Sequence, residues 1–166
     1  LLIHRPDPFM DPDEVADAFT TLRKSGKVLH FGVSNFMPHD FDLLASRLDF
    51  PLVTNQIEFS VVNVQALYDG TVAQCQKLNI CPMAWSPLAG GRLFNEHSKK
   101  AVRLRKKRKE MAHEIGGVSV DQLALAWILA HPADFVVVLG TGKIDRIRKA
   151  VQAQAMELSR PQWFDI

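Results

Sequence analysis

The stretch VLHFGVSNF, Val28–Phe36, runs from apolar and β-branched residues into the polar pair Ser34 and Asn35. Pro38 then opens a segment with helical spacing, and LVTNQIEF, Leu52–Phe59, is a second strand-like run. A strand, a helix and a strand in this order predict a parallel pair, because parallel strands need a crossover connection that is usually a helix. This unit decides the fold class, since the rest of the chain repeats it.

The same alternation of strands and helices continues along the 166 residues. It predicts an α/β fold with a parallel sheet, either doubly wound or closed as a (β/α) barrel. No GxGxxG sequence follows any strand, which weighs against a Rossmann domain. The predicted strands are Leu1–His4, Val28–Phe36, Leu52–Phe59, Ile80–Leu88 and Phe135–Gly140, the last being a β-branched run typical of a buried parallel strand.

Capping residues, prolines and glycines predict where the helices begin and end. Asp11 with Pro12 opens the first helix, Ser25 closes it, and Ser119 with Gln122 forms a second capping box. The other helices are predicted from Pro38 to about Leu48 and over Val64–Leu78, Ala101–Ile115, Val120–Ala130 and Lys143–Ala155. A loop is predicted over Ala89–Lys100 and a tail over Leu158–Ile166, with Trp163 and Phe164 packed on the body. Predicted core positions include Val15, Ala18, Phe19 and Leu22 in the first helix and Ala66, Leu67, Val72 and Ala73 in the third.

Composition and charge narrow the class of protein. The chain is 47% hydrophobic and 23% charged, which is ordinary for one globular core, and its net charge of +2 demands neither a nucleic acid nor an anionic membrane as partner. No apolar run approaches the roughly 20 residues of a membrane helix, and no signal-peptide pattern is present. We therefore expect one cytoplasmic domain with Cys75 and Cys81 as reduced thiols in its core.

One segment is strongly basic, but it lacks the features of a nucleic-acid site. No aromatic residues interleave with its cations, and Glu110 and Glu114 follow on the same helix, so we expect a solvated helix face. The histidines show no HxxxH or HxH spacing, so no metal site is predicted. The cations of this segment are Arg103, Arg105, Lys106, Lys107, Arg108 and Lys109.

Polar or aromatic side chains stand at the carboxyl end of every predicted strand. Each has an ordinary structural explanation by itself: Ser and Asn cap helices, a lone His is usually a satisfied structural residue, and Trp belongs to cores. Together they favour a ligand site, because the carboxyl ends of parallel strands face one side of an α/β protein, where ligands bind. The clusters are His4, Ser34-Asn35, Asn55-Gln56, Trp85-Ser86 and Gly140-Thr141-Gly142-Lys143.

The last of these clusters indicates an anionic ligand. Backbone N–H groups of a Gly-containing turn at a helix N-terminus form an anion site. Lys143 and Arg146 share the first helical turn, where cations oppose the helix dipole unless an anion lies between them. A solvated basic face is the alternative, since Arg148 and Lys149 follow. SPLAGG, Ser86–Gly91, is a second small-residue loop, and TIM barrels often bind phosphate after their last strands.

These residues resemble the aldo-keto reductase family. Five segments carry the resemblance in order: LLIHRPDP, GKVLHFGVSNF, TNQIEF, AWSPLAGG and, more weakly, GTGKIDRI. The match runs from Leu1 to about Ala155, and the succession of GVSNF and AWSPL is its most specific part. The resemblance implies a partial (β/α)8 TIM barrel, roughly strands four to eight with their helices, and NADPH-dependent reduction of a small-molecule carbonyl substrate.

The resemblance also implies roles at the strand ends. His4 takes the place of the catalytic histidine that orients and polarises the substrate carbonyl. Ser34, Asn35 and Gln56 resemble the residues that hydrogen-bond the nicotinamide carboxamide. Trp85 takes the place of the aromatic that stacks on the nicotinamide ring.

Two further groups resemble the phosphate contacts of the family. Such contacts favour NADPH over NADH, because fixed cations discriminate a dianionic phosphate. The pyrophosphate loop corresponds to Ser86, Leu88 and Gly90, and the site of the adenosine 2′-phosphate to Gly140, Thr141, Lys143 and Arg146.

The chain departs from the family pattern in one important respect. The proton donor of the family, a tyrosine, and its lysine and aspartate partners precede the catalytic histidine, whereas the single tyrosine here, Tyr68, follows it. Residues 1–166 therefore resemble the C-terminal portion of the barrel, and we expect the chain alone to be inert or nearly so. Arg148, Lys149 and Ala150 stand where acidic and amide residues often hold adenine, so the resemblance does not extend to adenine contacts.

Two other functions are compatible with the sequence. A non-catalytic binding or regulatory half-barrel of the same family, like the potassium-channel β-subunits, would assemble with the missing N-terminal half or a second chain through its open strand edges. The other is a different TIM-barrel enzyme that converged on the same loops.

Overall fold

The chain forms two compact units in this computed structural model, and the structure describes residues 1–95 and 97–166. The first unit contains residues 1–57 and 65–83, and the second contains residues 58–64 and 84–166. Strands and helices alternate within the first unit, whereas the second is mainly helical.

The first unit is built around three parallel strands. β2 pairs in parallel with β1 on one side and with β3 on the other, as the alternation of strands and helices predicts. The elements are β1 (Leu2–Ile3), α1 (Pro12–Lys24), β2 (Phe31–Ser34), α2 (Pro38–Ala45), β3 (Leu52–Glu58, whose last residue belongs to the second unit), a 3-10 turn (Gln65–Leu67) and α3 (Thr71–Leu78).

The spacing of these strands depends on Gly32. Leu2 lies opposite Gly32 in the β1–β2 register. A Cβ atom on Gly32 would lie 2.7 Å from Cδ2 of Leu2 and 2.7 Å from the carbonyl oxygen of Thr54. Only glycine therefore allows β2 to pack this closely between its neighbours. The register then places Ser34 opposite Gln56 at the carboxyl ends of β2 and β3.

Helices α1 and α2 begin where the sequence predicts. The side chain of Asp11 accepts a hydrogen bond from the N–H of Asp13 at 2.8 Å, and α2 begins at Pro38. Their inner faces pack on β2 and β3, and this removal of apolar surface from water stabilises the unit. Ala18, predicted in the core, is exposed instead. The buried members of this core are Phe19, Phe31, Val33, Phe36, Phe41, Leu44, Phe50 and Leu52.

The single helix predicted over Val64–Leu78 is wrong. Gly70 has φ +90°, a conformation that a right-handed helix does not adopt, and the side chain of Asp69 accepts a hydrogen bond from the N–H of Thr71 at 2.9 Å. The chain therefore makes a turn and restarts as α3. Of the predicted core positions, Ala66 and Val72 are buried, Leu67 is half-buried and Ala73 is exposed.

The two cysteines lie in different environments. Cys75 in α3 is buried, and this burial raises the pKa of its thiol to about 11. Cys81 is exposed, so its predicted place in the core is wrong. Its main chain is nevertheless anchored, because the hydroxyl of Thr54 donates to the carbonyl of Cys81 at 2.8 Å.

The second unit contains two short strands and most of the helices. The N–H of Val138 donates to the carbonyl of Ala84 at 2.9 Å and so joins its two strands. The elements are β4 (Met83–Trp85, whose first residue belongs to the first unit), a 3-10 turn (Ala89–Gly91), α4 (Arg92–Asn95), α5 (Lys99–Glu114), α6 (Val120–Leu129), β5 (Val136–Val137), α7 (Ile144–Gln152), a 3-10 turn (Ala153–Ala155) and α8 (Arg160–Asp165).

The predictions for two segments of this unit need correction. The segment Ala89–Lys100 contains α4 and the start of α5 rather than a continuous loop, and Glu96 within it lies outside the described residues. The run Phe135–Gly140 forms only a two-residue strand, and Val136 is 48% exposed. β5 is a short strand at the surface of the second unit, so Val136 lies partly in solvent.

A reciprocal pair of tryptophans attaches α8 to α6. Nε1 of Trp127 donates to the carbonyl of Trp163 at 2.9 Å, and Nε1 of Trp163 donates to the carbonyl of Trp127 at 2.9 Å. The two rings are stacked, with centroids 4.8 Å apart. The predicted packing of Trp163 is thus confirmed, whereas Phe164 is 70% exposed, with its ring edge-on to that of Trp163 and centroids 5.1 Å apart.

Helix α5 is basic but not wholly solvated. Arg108 is only 6% exposed, which corrects the prediction of a fully solvated cationic face. Its Nε donates to the oxygen of Ile166 at 3.2 Å and an Nη atom to the carbonyl of Val61 at 3.1 Å, while burial lowers the pKa of the guanidinium. Within residues 1–95 and 97–166, no helix has the length and apolar character needed to cross a membrane.

The tryptophan pair gives a prediction for stability. Trp163→Ala should lower the free energy of unfolding by about 3 kcal/mol, because it removes a large stacked ring and a hydrogen bond. Trp163→Phe, which keeps a ring, should cost about 1 kcal/mol. Urea denaturation followed by circular dichroism measures both. Phe9→Ala is the control and should change the free energy by less than about 0.5 kcal/mol, since the side chain is 97% exposed.

His131 gives a prediction for pH dependence. Its Nδ1 accepts a hydrogen bond from the N–H of Ala133 at 3.1 Å, and burial lowers the imidazole pKa from its usual 6.5. The unfolded chain therefore takes up a proton at higher pH than the folded chain, so the free energy of unfolding falls as the pH drops below about 6.5. His131→Asn should reduce the loss of stability between about pH 7.5 and about pH 5.5. His113→Asn, at an exposed position of α5, should leave that loss unchanged.

Candidate functional site

The first unit brings four predicted site residues together at adjacent strand ends. The hydroxyl of Ser34 donates to the carbonyl of Gln56 at 2.8 Å, and the N–H of Asn35 donates to the same carbonyl at 2.9 Å. The Nδ2 atom of Asn35 donates to the carbonyl of His4 at 3.2 Å and to Oγ of Ser34 at 3.0 Å. His4, Ser34, Asn35 and Gln56 therefore form one hydrogen-bonded group at the carboxyl ends of β1, β2 and β3.

The backbone of this group is fixed by Asn35. Asn35 has φ +60°, a left-handed conformation that Asn tolerates better than most residues with a side chain. Its side-chain bonds to His4 and Ser34 hold that conformation in place. Both N–H groups of the Asn35 amide are thus used within this group of residues.

The polar atoms of the group suit an amide ligand. Ser34 is buried, and its hydroxyl donates to Gln56, so its oxygen can act toward a ligand only as an acceptor. The side-chain amide of Gln56 is half-buried and offers both a donor and an acceptor. A primary carboxamide requires this combination of partners.

His4 and Tyr68 differ in position. His4 follows β1 directly and is exposed, with its backbone carbonyl bound to Asn35, so its imidazole is accessible to a ligand at the strand ends. Tyr68 lies between the 3-10 turn and α3 and is 79% exposed.

The second unit contains the loop that follows β4. The half-buried Trp85 ends that strand, and its carbonyl accepts a hydrogen bond from the N–H of Phe59 at 3.3 Å. Ser86 has φ +49°, and its carbonyl accepts from the N–H of Ala89 at 2.7 Å. Gly90, at φ +60°, is exposed at the tip of this turn. Small residues in these conformations leave the backbone of the loop open to a ligand.

Leu88, one of the predicted pyrophosphate residues, has an apolar rather than a polar environment. Leu88 packs on the apolar cluster of Leu125, Ala126 and Ala153, so it anchors the loop through its side chain rather than by polar contact.

The sequence does not predict the ion pair between Arg92 and Glu58, whose Nη2 and Oε1 atoms lie 3.3 Å apart. No local pattern indicates a contact between residues so distant in sequence.

The predicted 2′-phosphate residues lie in the loop before α7 and in its first turn. Oγ1 of Thr141 accepts a hydrogen bond from the N–H of Lys143 at 3.2 Å, and Lys143 occupies the N-cap position of the helix. Lys143 and Arg146 are exposed, and in the described part of the chain neither forms an ion pair with a carboxylate. A Cβ atom on Gly140 would meet nothing within 4 Å, so the turn is open to a ligand.

The predicted site residues thus fall into one group in each compact unit. The first group offers partners for an amide, and the second offers open backbone turns and two exposed cations. Within residues 1–95 and 97–166, no cluster of three or more His, Cys, Asp or Glu side chains could hold a metal ion.

Comparison with known proteins assigns the chain to one family. The family model described as the aldo/keto reductase family matches residues 1–166. Oxidoreductase YdhF of Escherichia coli is 52% identical over 166 residues, which are 100% of this chain and 55% of that protein. The chain accordingly spans about half the length of the curated relatives that it matches.

Solved structures give the same result for the fold. The thermostable aldo-keto reductase Tm1743, solved with the inhibitor epalrestat, has a TM-score of 0.87 and 27% identity, and the match covers 98% of this chain and 56% of that one. An aldo/keto reductase from Klebsiella pneumoniae, solved with NADP and acetate, has a TM-score of 0.80 and 27% identity over 97% of this chain and 54% of that one. The chain therefore belongs to the aldo/keto reductase family and has the α/β fold of part of its TIM barrel.

Proposed function

We propose that the protein to which this chain belongs reduces aldehydes or ketones with NADPH. The observation that carries this proposal is the hydrogen-bonded group of His4, Ser34, Asn35 and Gln56 at adjacent strand ends. The NADP complex of the Klebsiella relative supports the choice of cofactor. The relatives described as oxidoreductases favour this function over a purely regulatory role.

The first unit holds the reacting end of the cofactor in this proposal. Bound NADPH supplies the hydride that reduces the substrate carbonyl. Ser34, Asn35 and Gln56 would hold the carboxamide and so fix the orientation of the ring. Trp85, which belongs to the second unit, has by resemblance to the family the role of the aromatic residue that would stack on the nicotinamide ring.

His4 acts on the substrate oxygen. When a hydride reaches the carbonyl carbon, negative charge builds on the oxygen, and a donor aimed at that oxygen stabilises the transition state. The accessible imidazole of His4 supplies this donor. The proton that completes the alcohol requires a separate acid, and Tyr68, the single tyrosine of the chain, is exposed and lies away from the strand ends.

The second unit holds the phosphates of the cofactor in this proposal. The turn of Ser86, Leu88 and Gly90 receives the pyrophosphate, and the group of Gly140, Thr141, Lys143 and Arg146 receives the adenosine 2′-phosphate. The two cations favour NADPH, because NADH carries no 2′-phosphate for them to bind.

Removing the cations should change the preference for cofactor. Lys143→Met and Arg146→Met should each raise the KM for NADPH about tenfold or more and leave the KM for NADH nearly unchanged, because a hydrogen bond to a charged group contributes about 1.5–3 kcal/mol. Steady-state kinetics of the protein expressed from its complete gene, with both cofactors, measure this. Lys149→Met removes an exposed cation from the same helix and is the control. An equal rise in the KM for NADPH and in the KM for NADH would refute the assignment of the 2′-phosphate site.

Removing the imidazole should slow the chemical step without weakening cofactor binding. His4→Ala should lower kcat/KM for aldehyde reduction by about 100-fold, the usual effect of losing one transition-state donor. The dissociation constant for NADPH, measured by fluorescence titration, should stay within about twofold. His39→Ala, at an exposed position of α2, is the control.

The segment Leu1–Ile166 expressed alone should show no NADPH-dependent reduction, and measurable turnover by it would contradict the need for an acid outside this chain.

A further inference from the structure

The turn after β4 contains an unusual run of left-handed residues. Ser86, Ala89, Gly90 and Gly91 have φ values of +49°, +54°, +60° and +88°. Two of these residues carry a Cβ atom, and each such conformation costs about 1–3 kcal/mol unless the surroundings fix it. The turn therefore needs contacts that hold it in this shape.

Arg92 makes such contacts from the residue that follows the turn. Its backbone N–H and its Nε atom both donate to the carbonyl of Ala89, the latter at 3.2 Å. The Nη2 atom of the same guanidinium donates to Oε1 of Glu58 at 3.3 Å. Arg92 thus connects the most strained peptide of the turn to Glu58, the last residue of β3.

This arrangement fixes the direction of one peptide group. The peptide bond is planar and trans, so its C=O and N–H point in opposite directions. Because the carbonyl of Ala89 is directed toward Arg92, the N–H of Gly90 points away from Arg92. Gly90 is exposed, so this N–H faces the space outside the turn.

The ion pair has little value for stability by itself. The side chains of Arg92 and Glu58 are 57% and 28% exposed, and pairs of this kind contribute about 0–1 kcal/mol. The ion pair matters instead for the geometry of the turn, because the carboxylate of Glu58 orients the guanidinium of Arg92, which holds the Ala89 carbonyl.

We propose that Glu58 and Arg92 are positioning residues that hold the Ser86–Gly91 turn so that the N–H of Gly90 faces the pyrophosphate of the dinucleotide cofactor. This inference rests on the proposed function, because the ligand of the turn is the cofactor named there. Glu58 acts only through Arg92, and Arg92 acts through the Ala89 peptide.

Glu58→Gln distinguishes positioning from simple charge attraction. If only charge mattered, loss of a carboxylate near an anion site would strengthen NADPH binding. Positioning predicts the opposite: the dissociation constant should rise about fivefold in Glu58→Gln and about tenfold in Arg92→Ala, as backbone strain is no longer compensated. The double variant should bind NADPH no more weakly than Arg92→Ala, since both changes break one connection.

The experiment uses the protein expressed from its complete gene, with fluorescence titration of NADPH and steady-state kinetics. We expect a raised KM for NADPH with kcat within about twofold, because the change affects binding rather than the reacting centre. Arg103→Ala removes the same charge from an exposed position of α5 and should leave the dissociation constant unchanged.

Amide hydrogen exchange in the absence of cofactor gives an independent measurement. The N–H groups of Ala89 and Gly91 close the turn on the carbonyls of Ser86 and Leu88 at 2.7 and 3.0 Å, so their exchange reports its order. Both should exchange faster in Glu58→Gln and Arg92→Ala. Unchanged exchange and unchanged NADPH affinity in a wild type that binds NADPH would overturn the positioning role and leave the proposed function standing. A wild type that does not bind NADPH would overturn the proposed function and this inference with it.

Discussion

Parallel pairing of β2 with both β1 and β3 is the constraint on which the candidate nicotinamide site depends. The pairing brings three carboxyl ends to one level, and Gly32 permits it because any larger residue would collide with Leu2 and Thr54. Once the strands are in register, Ser34 and Gln56 are opposite each other and the bond between them follows. The polar group is therefore a result of strand register rather than of the individual side chains.

The sequence predicted the order of strands and helices because those patterns are local. Asp11 with Pro12 and Ser119 with Gln122 act within one helical turn, and both caps form as expected. Predictions failed where burial depends on distant packing. Arg108 is buried because Val61 and residues near Ile166 cover it, and nothing in a run of basic residues reveals such cover.

The candidate site shows the same division between local and distant information. The strand-end residues could be named because each directly follows an apolar run. Their mutual hydrogen bonds could not, since they depend on register, and a one-residue slip would turn the side chains to the other face. The pair of Glu58 and Arg92 joins residues separated by 34 positions and has no motif of its own, so only coordinates reveal it.

The stacked indoles of Trp127 and Trp163 also give the second unit an optical property. Two indoles whose centroids lie 4.8 Å apart share their electronic excitation and produce a paired signal in circular dichroism. That signal depends on the distance between α6 and α8. The protein therefore carries an intrinsic reporter for the attachment of α8 to α6, without any added label.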